Sequence, residues 1–401
     1  MRLDKLEWTR KMLGEILVAN YGKSLPKTKR IAGNINVYGS GGIVGSHNEY
    51  LVKGPGIIIG RKGTVGSINY VKDNYYPIDT VYYIQEGLDY DLKFLFYKLK
   101  TIGLDKMNTH SAVPGLNREH MYSKEVLMPK INEQKAIAKI LSDLDEKIEV
   151  NNNINKNLEE MAQAIFKQWF VDFEFPNEEG KPYKSSGGEM VKSELGMIPK
   201  TFSISTLGNE VKTIDNRGKT PPLEKEKTEY PIIDVKVLAG SSRIINYNNC
   251  LKFVNEETYK NWFRSGHPLE KDILISTVGS LAELKMFFGH KGCIAQNVVA
   301  LRSINISSFY MYEYLKYIKP KLVSYNIGSV QPSIKITHIM KHNIIIPEKN
   351  IVLKYDNLIK SIIEKIYNNE NENERLEELR DTLLPKLMSG EIRVPLENNE
   401  I

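Results

Sequence analysis

EKIEVNNNINKNLEEM (Glu146–Met161) returns 218 residues later as EKIYNNENENERLEEL (Glu364–Leu379). Glu146-Lys147-Ile148 matches Glu364-Lys365-Ile366, Asn151 matches Asn369, and Leu158-Glu159-Glu160 matches Leu376-Glu377-Glu378. The offset holds upstream as well. Ser111, Pro114, His120 and Pro129 recur as Ser329, Pro332, His338 and Pro347 (329 minus 111 is 218, and so for each pair). An unbroken offset over about fifty residues is the mark of a duplicated unit.

Further upstream the features keep their order while the spacing drifts. Leu13-Gly14 pairs with Leu207-Gly208, and Gly22-Lys23-Ser24 with Gly218-Lys219-Thr220. Ile57-Ile58-Ile59 pairs with Ile273-Leu274-Ile275, Thr64-Val65-Gly66-Ser67 with Thr277-Val278-Gly279-Ser280, and Asp79-Thr80-Val81 with Gln296-Asn297-Val298. Constant order with variable spacing is how one fold looks after its loops diverge.

The two kinds of segment differ in period. Ile31 to Gly45 and Gly56 to Tyr70 alternate short β-branched stretches with Gly, Asn and Pro turns, which predicts β-rich globular units. Short helices are expected near Leu88 to Leu99 and Tyr310 to Ile318. After each unit the apolar residues fall three and four apart: Ile137, Leu141, Leu144 and Ile148, then Leu158, Met161, Ile165 and Trp169. The second copy runs Tyr355, Leu358, Ile362 and Ile366, then Leu376, Leu379, Leu383 and Leu387. This is the stripe of a long helix that pairs with another helix. About 39 residues at roughly 1.5 Å each give a rod of about 58 Å. The Asn-rich middles allow two outcomes: Asn151 and Asn369 pair and fix register, or each helix breaks there. The apolar phase resumes correctly beyond them, which favours continuity.

The expected architecture is α+β, with an internal pseudo-two-fold repeat. A first globular unit occupies residues 1–131 and a long helix 132–171. A Glu-, Lys-, Gly- and Ser-rich linker covers 172–194, a second unit 195–348, a second long helix 349–390 and a tail 391–401. Folding the helices antiparallel would hold two readers apart on one rod, matching a DNA site with two half-sites and an unread spacer.

Composition is compatible with this and weakly informative. The 401 residues exceed one ordinary core, 41% are apolar, and the net charge is +6. Two cysteines, Cys250 and Cys293, build neither a disulfide framework nor a cysteine zinc site. Met1 to Arg10 carries no signal-peptide core, and no apolar run reaches membrane-spanning length. A soluble, cytoplasmic protein is expected.

Several segments resemble the specificity subunits of type I restriction-modification systems. They are Leu13-Gly14-Glu15-Ile16, Glu194-Leu195-Gly196 through Ile198-Pro199-Lys200, and GRKGTVGS (Gly60 to Ser67). PKINEQKAIAKILSDL (Pro129 to Leu144), Leu383 to Ile392 and, most closely, MAQAIFKQWFVDF (Met161 to Phe173) belong with them. The second helix departs from the pattern, because Ile351 to Asp356 lacks the pair Glu133-Gln134. The resemblance implies two target recognition domains, each reading one half of a bipartite DNA site, and helices that dock two modification subunits. Those partners would carry S-adenosylmethionine, while restriction subunits would bring ATP, Mg and nuclease activity. No cofactor is expected in this chain.

The near-motifs for chemistry are incomplete. Gly22-Lys23-Ser24 and Gly218-Lys219-Thr220 resemble the end of a phosphate-binding loop, but Leu17 and Thr213 stand where its first glycine belongs. Thr220-Pro221-Pro222-Leu223 has the prolines of an adenine methyltransferase motif and neither flank. Asp234-Val235-Lys236 is half of a nuclease signature, and His338 and His342 lack the glutamate of a zinc helix. Two other classes compete with the specificity subunit: a nuclease or methyltransferase built on a recognition scaffold, and a coiled-coil scaffold that never touches DNA.

Base reading needs Arg, Lys, Asn or Gln on loops, and phosphate positioning needs cations. The candidates in the first unit are Lys23, Lys27, Lys29, Arg30, Arg61, Lys62, Asn117 and Arg118. In the second they are Arg217, Lys219, Arg243, Arg264, Gln331 and Lys335. Trp169, Phe170 and Phe173 are the expected exposed apolar surface for partner docking. The turn sequences Gly60 to Ser67 and Ser276 to Ser280 differ, so two unlike half-sites are expected.

Overall fold

The computed structural model describes residues 8–107, 115–289 and 291–395. Ser111 and Pro114 of the repeat lie outside them. The chain forms two compact units, Met1–Lys147 with Leu376–Ile401, and Ile148–Arg375. Each long helix therefore contributes to both.

The duplication is a duplication of topology. In the first unit the strands Asn20–Tyr21, Val81–Ile84, Gly56–Gly60 and Ile68–Val71 lie side by side in that order, all antiparallel. In the second, Val211–Ile214, Val298–Ser303, Ile273–Ser276 and Leu284–Met286 repeat the arrangement. A smaller sheet recurs too. Ile35–Gly39 pairs antiparallel with Gly42–His47 and parallel with Tyr75–Pro77. Tyr230–Ile233 pairs the same two ways, with Phe253–Val254 and Cys293–Ile294. The central strands Gly56–Gly60 and Ile273–Ser276 are buried along their whole length, which explains their unbroken apolar reading.

The Leu-Gly openings have a steric cause. Gly14 begins a helical turn that packs on the helix Arg118–Tyr122, and a Cβ there would lie 2.9 Å from that of Tyr122. Gly208 meets Met340 of the equivalent helix in the same way, at 3.1 Å from its carbonyl oxygen.

The long helices are Ile131–Phe166, prolonged by the wide turn Lys167–Val171, and Lys349–Ser389. Both run unbroken through their asparagines. In the first unit their ends bury Ile137, Leu141, Leu387 and Met388 with Phe94, Leu95 and Leu99 of the helix Leu92–Lys100. Arg380 donates to Asp145 at 2.7 Å, and Tyr97 does so at 2.5 Å. Glu133 takes Arg393 at 2.6 and 3.0 Å and the Trp8 indole at 3.2 Å. Gln134 joins the Pro129 carbonyl to the Asp91 amide. The second helix has buried Ile351 at the place of Glu133, so its start is held by packing instead of polar bonds.

In the second unit the helices meet through buried asparagines. Asn151 donates to Asn373 at 2.9 Å, Asn373 to Asn152 at 2.9 Å, and Asn369 to Asn155 at 2.8 Å. The expected partner of Asn151 was Asn369. An antiparallel pair instead crosses the repeat, so each asparagine bonds the other copy's second asparagine. Burying a large apolar side chain contributes about 1.5–3 kcal/mol, against about 1 kcal/mol net for a hydrogen bond. The flanking Ile148, Ile362, Ile363 and Ile366 therefore stabilise the pair, and the asparagines select its register.

The segment 172–194, expected as a linker, is folded. Phe175 stacks on Tyr183 and Phe202 at 4.6 and 5.2 Å, and Met190–Ser193 forms a hairpin with Gly196–Pro199. Three aromatic side chains outweigh the polar composition around them. Among the described residues no helix is long and apolar enough to cross a membrane.

Replacing Asn373 with alanine leaves the Asn151 amide with Glu372 as its acceptor at 2.8 Å and removes the donor to the Asn152 side-chain oxygen. The expected loss is about 1–3 kcal/mol, read as a lower denaturant midpoint. A second test uses Lys98, which caps the Met388 carbonyl at 2.7 Å and whose ammonium burial pushes down to about 8. Between that pH and the ordinary lysine value of 10.5 the folded chain binds fewer protons than the unfolded one, so this group makes stability rise with pH. Lys98→Met should be relatively most stabilising near pH 7, with its advantage shrinking by pH 10 in parallel urea titrations.

Candidate nucleic-acid interface

In the first unit three segments flagged by sequence converge on one face. The strand Gly56–Gly60 ends in a tight loop closed by the Gly60 amide on Ser67 O and the Gly66 amide on Gly60 O. Gly66, at φ 73°, touches Asp105 so closely that no Cβ fits. This loop presents Arg61 and exposed Lys62. The segment 115–118 docks beside it: Leu116 N donates to Arg61 O at 2.9 Å, and Gly115 bridges Lys62. Asn117 is exposed and caps the next helix by accepting from His120 N at 3.1 Å.

The centre of this face is Tyr21, 51% exposed. The Arg61 guanidinium lies 5.2 Å from its ring and that of Arg118 5.1 Å, with Tyr82 packed edge-on at 5.1 Å. Arg61 also donates to the Asp79 carbonyl at 2.8 Å, and Arg118 lies 3.5 Å from Glu119. Each ring contact is worth about 0.5–1 kcal/mol at an exposed site. Two guanidinium groups on one ring repel each other, and an anion or a pair of acceptor atoms relieves that repulsion.

Lys23 is exposed in the turn just after Tyr21, and Gly22 is required there because a Cβ would collide with Ile78 O. The glycine of the phosphate-loop look-alike thus serves a backbone crossing. Lys27 and Lys29 are exposed on one 3-10 turn. Arg30 is not free: its guanidinium donates to Leu25 O at 3.3 Å and Val44 O at 2.6 Å, fastening that loop.

The second unit repeats the backbone frame with other side chains. Thr277 N donates to Asn297 O as Arg61 N donates to Thr80 O. Ile334 N donates to Thr277 O as Leu116 N does to Arg61 O, and Val278 bridges Ser333 as Lys62 bridges Gly115. Here the face holds a cleft of about 270 Å³, bounded by Lys219, Thr220, Gln296, Asn297, Gln331 and Trp262. Gln296 donates to Thr220 Oγ1 at 3.0 Å, and the Asn297 Oδ1 is buried without a partner. Lys219, Gln331, Lys335 and Arg264 are exposed. Arg217 is exposed and paired with Asp215 at 2.9 Å.

Arg243 is a correction. It is 0% exposed and donates to Glu159 of the first long helix at 2.8 Å twice and to Glu313 at 2.6 Å, with Lys316 on Glu159 at 3.0 Å. It cannot reach DNA. Burial alone would push the Glu159 carboxyl up, but Arg243 and Lys316 hold it below the ordinary glutamate range. Glu313, with weaker compensation, is pushed up by burial.

Trp169, Phe170 and Phe173 are the second correction. They are 8, 4 and 8% exposed and belong to the core of the second unit. Phe170 meets Tyr310 and Tyr355 at 4.8 and 4.9 Å, and Phe173 meets Phe202 at 6.2 Å. With Ala162 and Phe166, Trp169 and Phe170 fall three and four apart on one helical face, which turns into this core, and the wide turn, with Asp172 N on Lys167 O, closes the helix there.

Other flagged groups are structural. Asp234 caps the helix Val235–Leu238 and pairs with Lys252 at 3.1 Å. His342 lies between the Tyr325 and Tyr314 hydroxyls at 2.8 and 3.3 Å. Sequence reasoning missed Tyr21, Gln296, Asn297 and Trp262. The last three belong to no motif; the match of Asp79-Thr80 with Gln296-Asn297 is the signal that could have found two of them, since Thr80 O accepts from Arg61 N in the structure.

A chain with the same β-rich unit twice, each followed by a long helix and each with a polar face at the same sheet edge, belongs to a duplicated recognition class. The family described as type I restriction modification DNA specificity domain matches residues 5–160 and 199–381, and this chain belongs to that family. The type I restriction enzyme MjaIX specificity subunit of Methanocaldococcus jannaschii is 30% identical over 320 residues, covering 77% of this chain and 71% of that one. The HindI specificity subunit of Haemophilus influenzae is 26% identical over 334 residues, covering 70% and 71%. The crystal structure of a type I restriction-modification S subunit from M. genitalium shares the fold, with a TM-score of 0.58 and 19% identity over 97% of this chain and 98% of that one.

Glu159→Gln leaves Arg243 buried with its charge only partly met. It should lower stability by about 3 kcal/mol, read from urea unfolding. Replacing Arg243, Glu159 and Glu313 together by Met, Leu and Leu should cost much less. A triple variant as unstable as the single one would show that packing, not charge pairing, holds this site.

Proposed function

We propose that the chain is the DNA specificity subunit of a type I restriction-modification complex and performs no chemistry itself. Its two recognition units read the two unlike halves of a split site. The observation that carries this reading is the pair of equivalent faces, built on one backbone frame and bearing different side chains. Arg61, Lys62, Arg118, Lys23 and Asn117 serve the first half-site, with Lys27 and Lys29 as phosphate contacts. Lys219, Gln331, Lys335 and Arg264 serve the second, with Arg217 available on exchange from Asp215. Phosphate contacts position the duplex and base contacts specify it.

Two modification subunits dock on the helices and bring S-adenosylmethionine, and restriction subunits bring ATP and Mg. The buried aromatics offer them no surface. Val150, Ile154 and Met161 do: they are 51, 37 and 51% exposed and fall within about 40° on the first long helix. The complex acts on cellular DNA in the cytoplasm.

Long-read methylation mapping of DNA from cells expressing this chain with a modification subunit tests the reading. A split, asymmetric motif that vanishes when the chain is deleted is the expected result. Methylation unchanged by the deletion, with the modification subunit active, would refute it.

A further inference from the structure

The two recognition faces carry opposite hydrogen-bonding chemistry. We infer from this that the first unit reads a guanine and the second an adenine of an A·T pair, an inference that rests on the half-site reading above. At its centre the first face is donor-only. A guanidinium has five donors and no acceptor; Arg61 gives Nη2 to Asp79 O and buries Nε, which leaves its Nη1–Nη2 end as the fork for a ligand. Its neighbour Arg118 shares the Tyr21 ring, so the rotamer freedom of both side chains is already limited by the ring contact. A preorganised fork suits two adjacent acceptors on one edge. In the major groove that edge is guanine O6 and N7. A phosphate presents acceptors as well, and the experiment below separates the two.

At the equivalent place the second face has amides. Gln296 and Asn297 stand where the first unit has Asp79 and Thr80, and Gln331 lies on the other wall of the cleft. The Nε2 of Gln296 is committed to Thr220, which leaves its Oε1 as the acceptor of this wall, while the Asn297 Oδ1 is buried out of a base's reach. Gln331 is exposed and adds a free amide with donor and acceptor together. An acceptor beside a donor complements adenine N6 and N7, and guanine O6 would face carbonyl oxygen there. The apolar part of the cleft, from Ile294 to Leu223, is suited to the thymine methyl group of the same pair.

The test maps methylation by the assembled complex carrying this chain as wild type, Arg61→Lys or Gln331→Ala. Arg61→Lys keeps the charge and loses the fork. It should relax one position of one half-site, a guanine, with discrimination there falling roughly tenfold or more. Gln331→Ala should relax an adenine in the other half-site to a similar degree. Should either protein fail to accumulate, Arg118→Lys and Gln296→Leu probe the same two faces. Uniformly weaker methylation with an unchanged motif would make Arg61 a phosphate contact and overturn the proposal. So would relaxation at an A·T pair in Arg61→Lys or at a G·C pair in Gln331→Ala, or both variants altering the same half-site. Failure of the underlying specificity reading is distinct, since deleting the chain would then leave methylation intact.

Discussion

Antiparallel pairing makes residue numbers fall on one long helix as they rise on the other, and buried asparagines fix which residues meet. Asn151 with Asn373 and Asn155 with Asn369 are exchanged by the repeat offset of 218, since 369 is 151 plus 218 and 373 is 155 plus 218. The helix pairing is therefore locally self-complementary within one chain. A slip by one turn would keep only one asparagine pair, Asn151 with Asn369 or Asn155 with Asn373, and would separate the other two amides from their partners, at about 1–3 kcal/mol for each polar atom left unsatisfied. That penalty, more than any gain from the asparagines, keeps the helices in one register and each globular unit attached at one point of its helix.

The second unit is tied to its helix by charge as well as by packing. Arg243 comes from a loop that reads as surface, Ser241-Ser242-Arg243, yet it lies between Glu159 and Glu313 with no exposure. A buried ion pair adds little net stability over apolar residues but strongly disfavours structures that separate its members. The device belongs with the asparagines: both penalise wrong arrangements.

Much of the fold was legible because it is periodic. A constant offset revealed the duplication, and spacings of three and four revealed the helices through their asparagines. Contacts that depend on distant residues were not legible. Asn151 could be given a partner only once the helices were known to run antiparallel. The burial of Arg243 depends on Glu159, 84 positions away. Trp169 and Phe170 share a helical face with Ala162 and Phe166, but what covers that face, Tyr310 and Tyr355, lies far along the chain. Of the candidate face, Arg61, Lys62 and Arg118 were picked by residue type, and the structure brings them together. Tyr21 was not, because a tyrosine beside a strand reads equally as core.

At both sheet edges the scaffold is held by main-chain atoms: Arg61 N on Thr80 O and Leu116 N on Arg61 O, with Thr277, Asn297 and Ile334 doing the same in the second unit. The side chains displayed there contribute few bonds that the frame needs. A substitution changes what the surface offers without withdrawing support from the fold. Such a site can drift through many chemistries while stability stays nearly level, and because the copies are separate, one can be rewritten while the other keeps working.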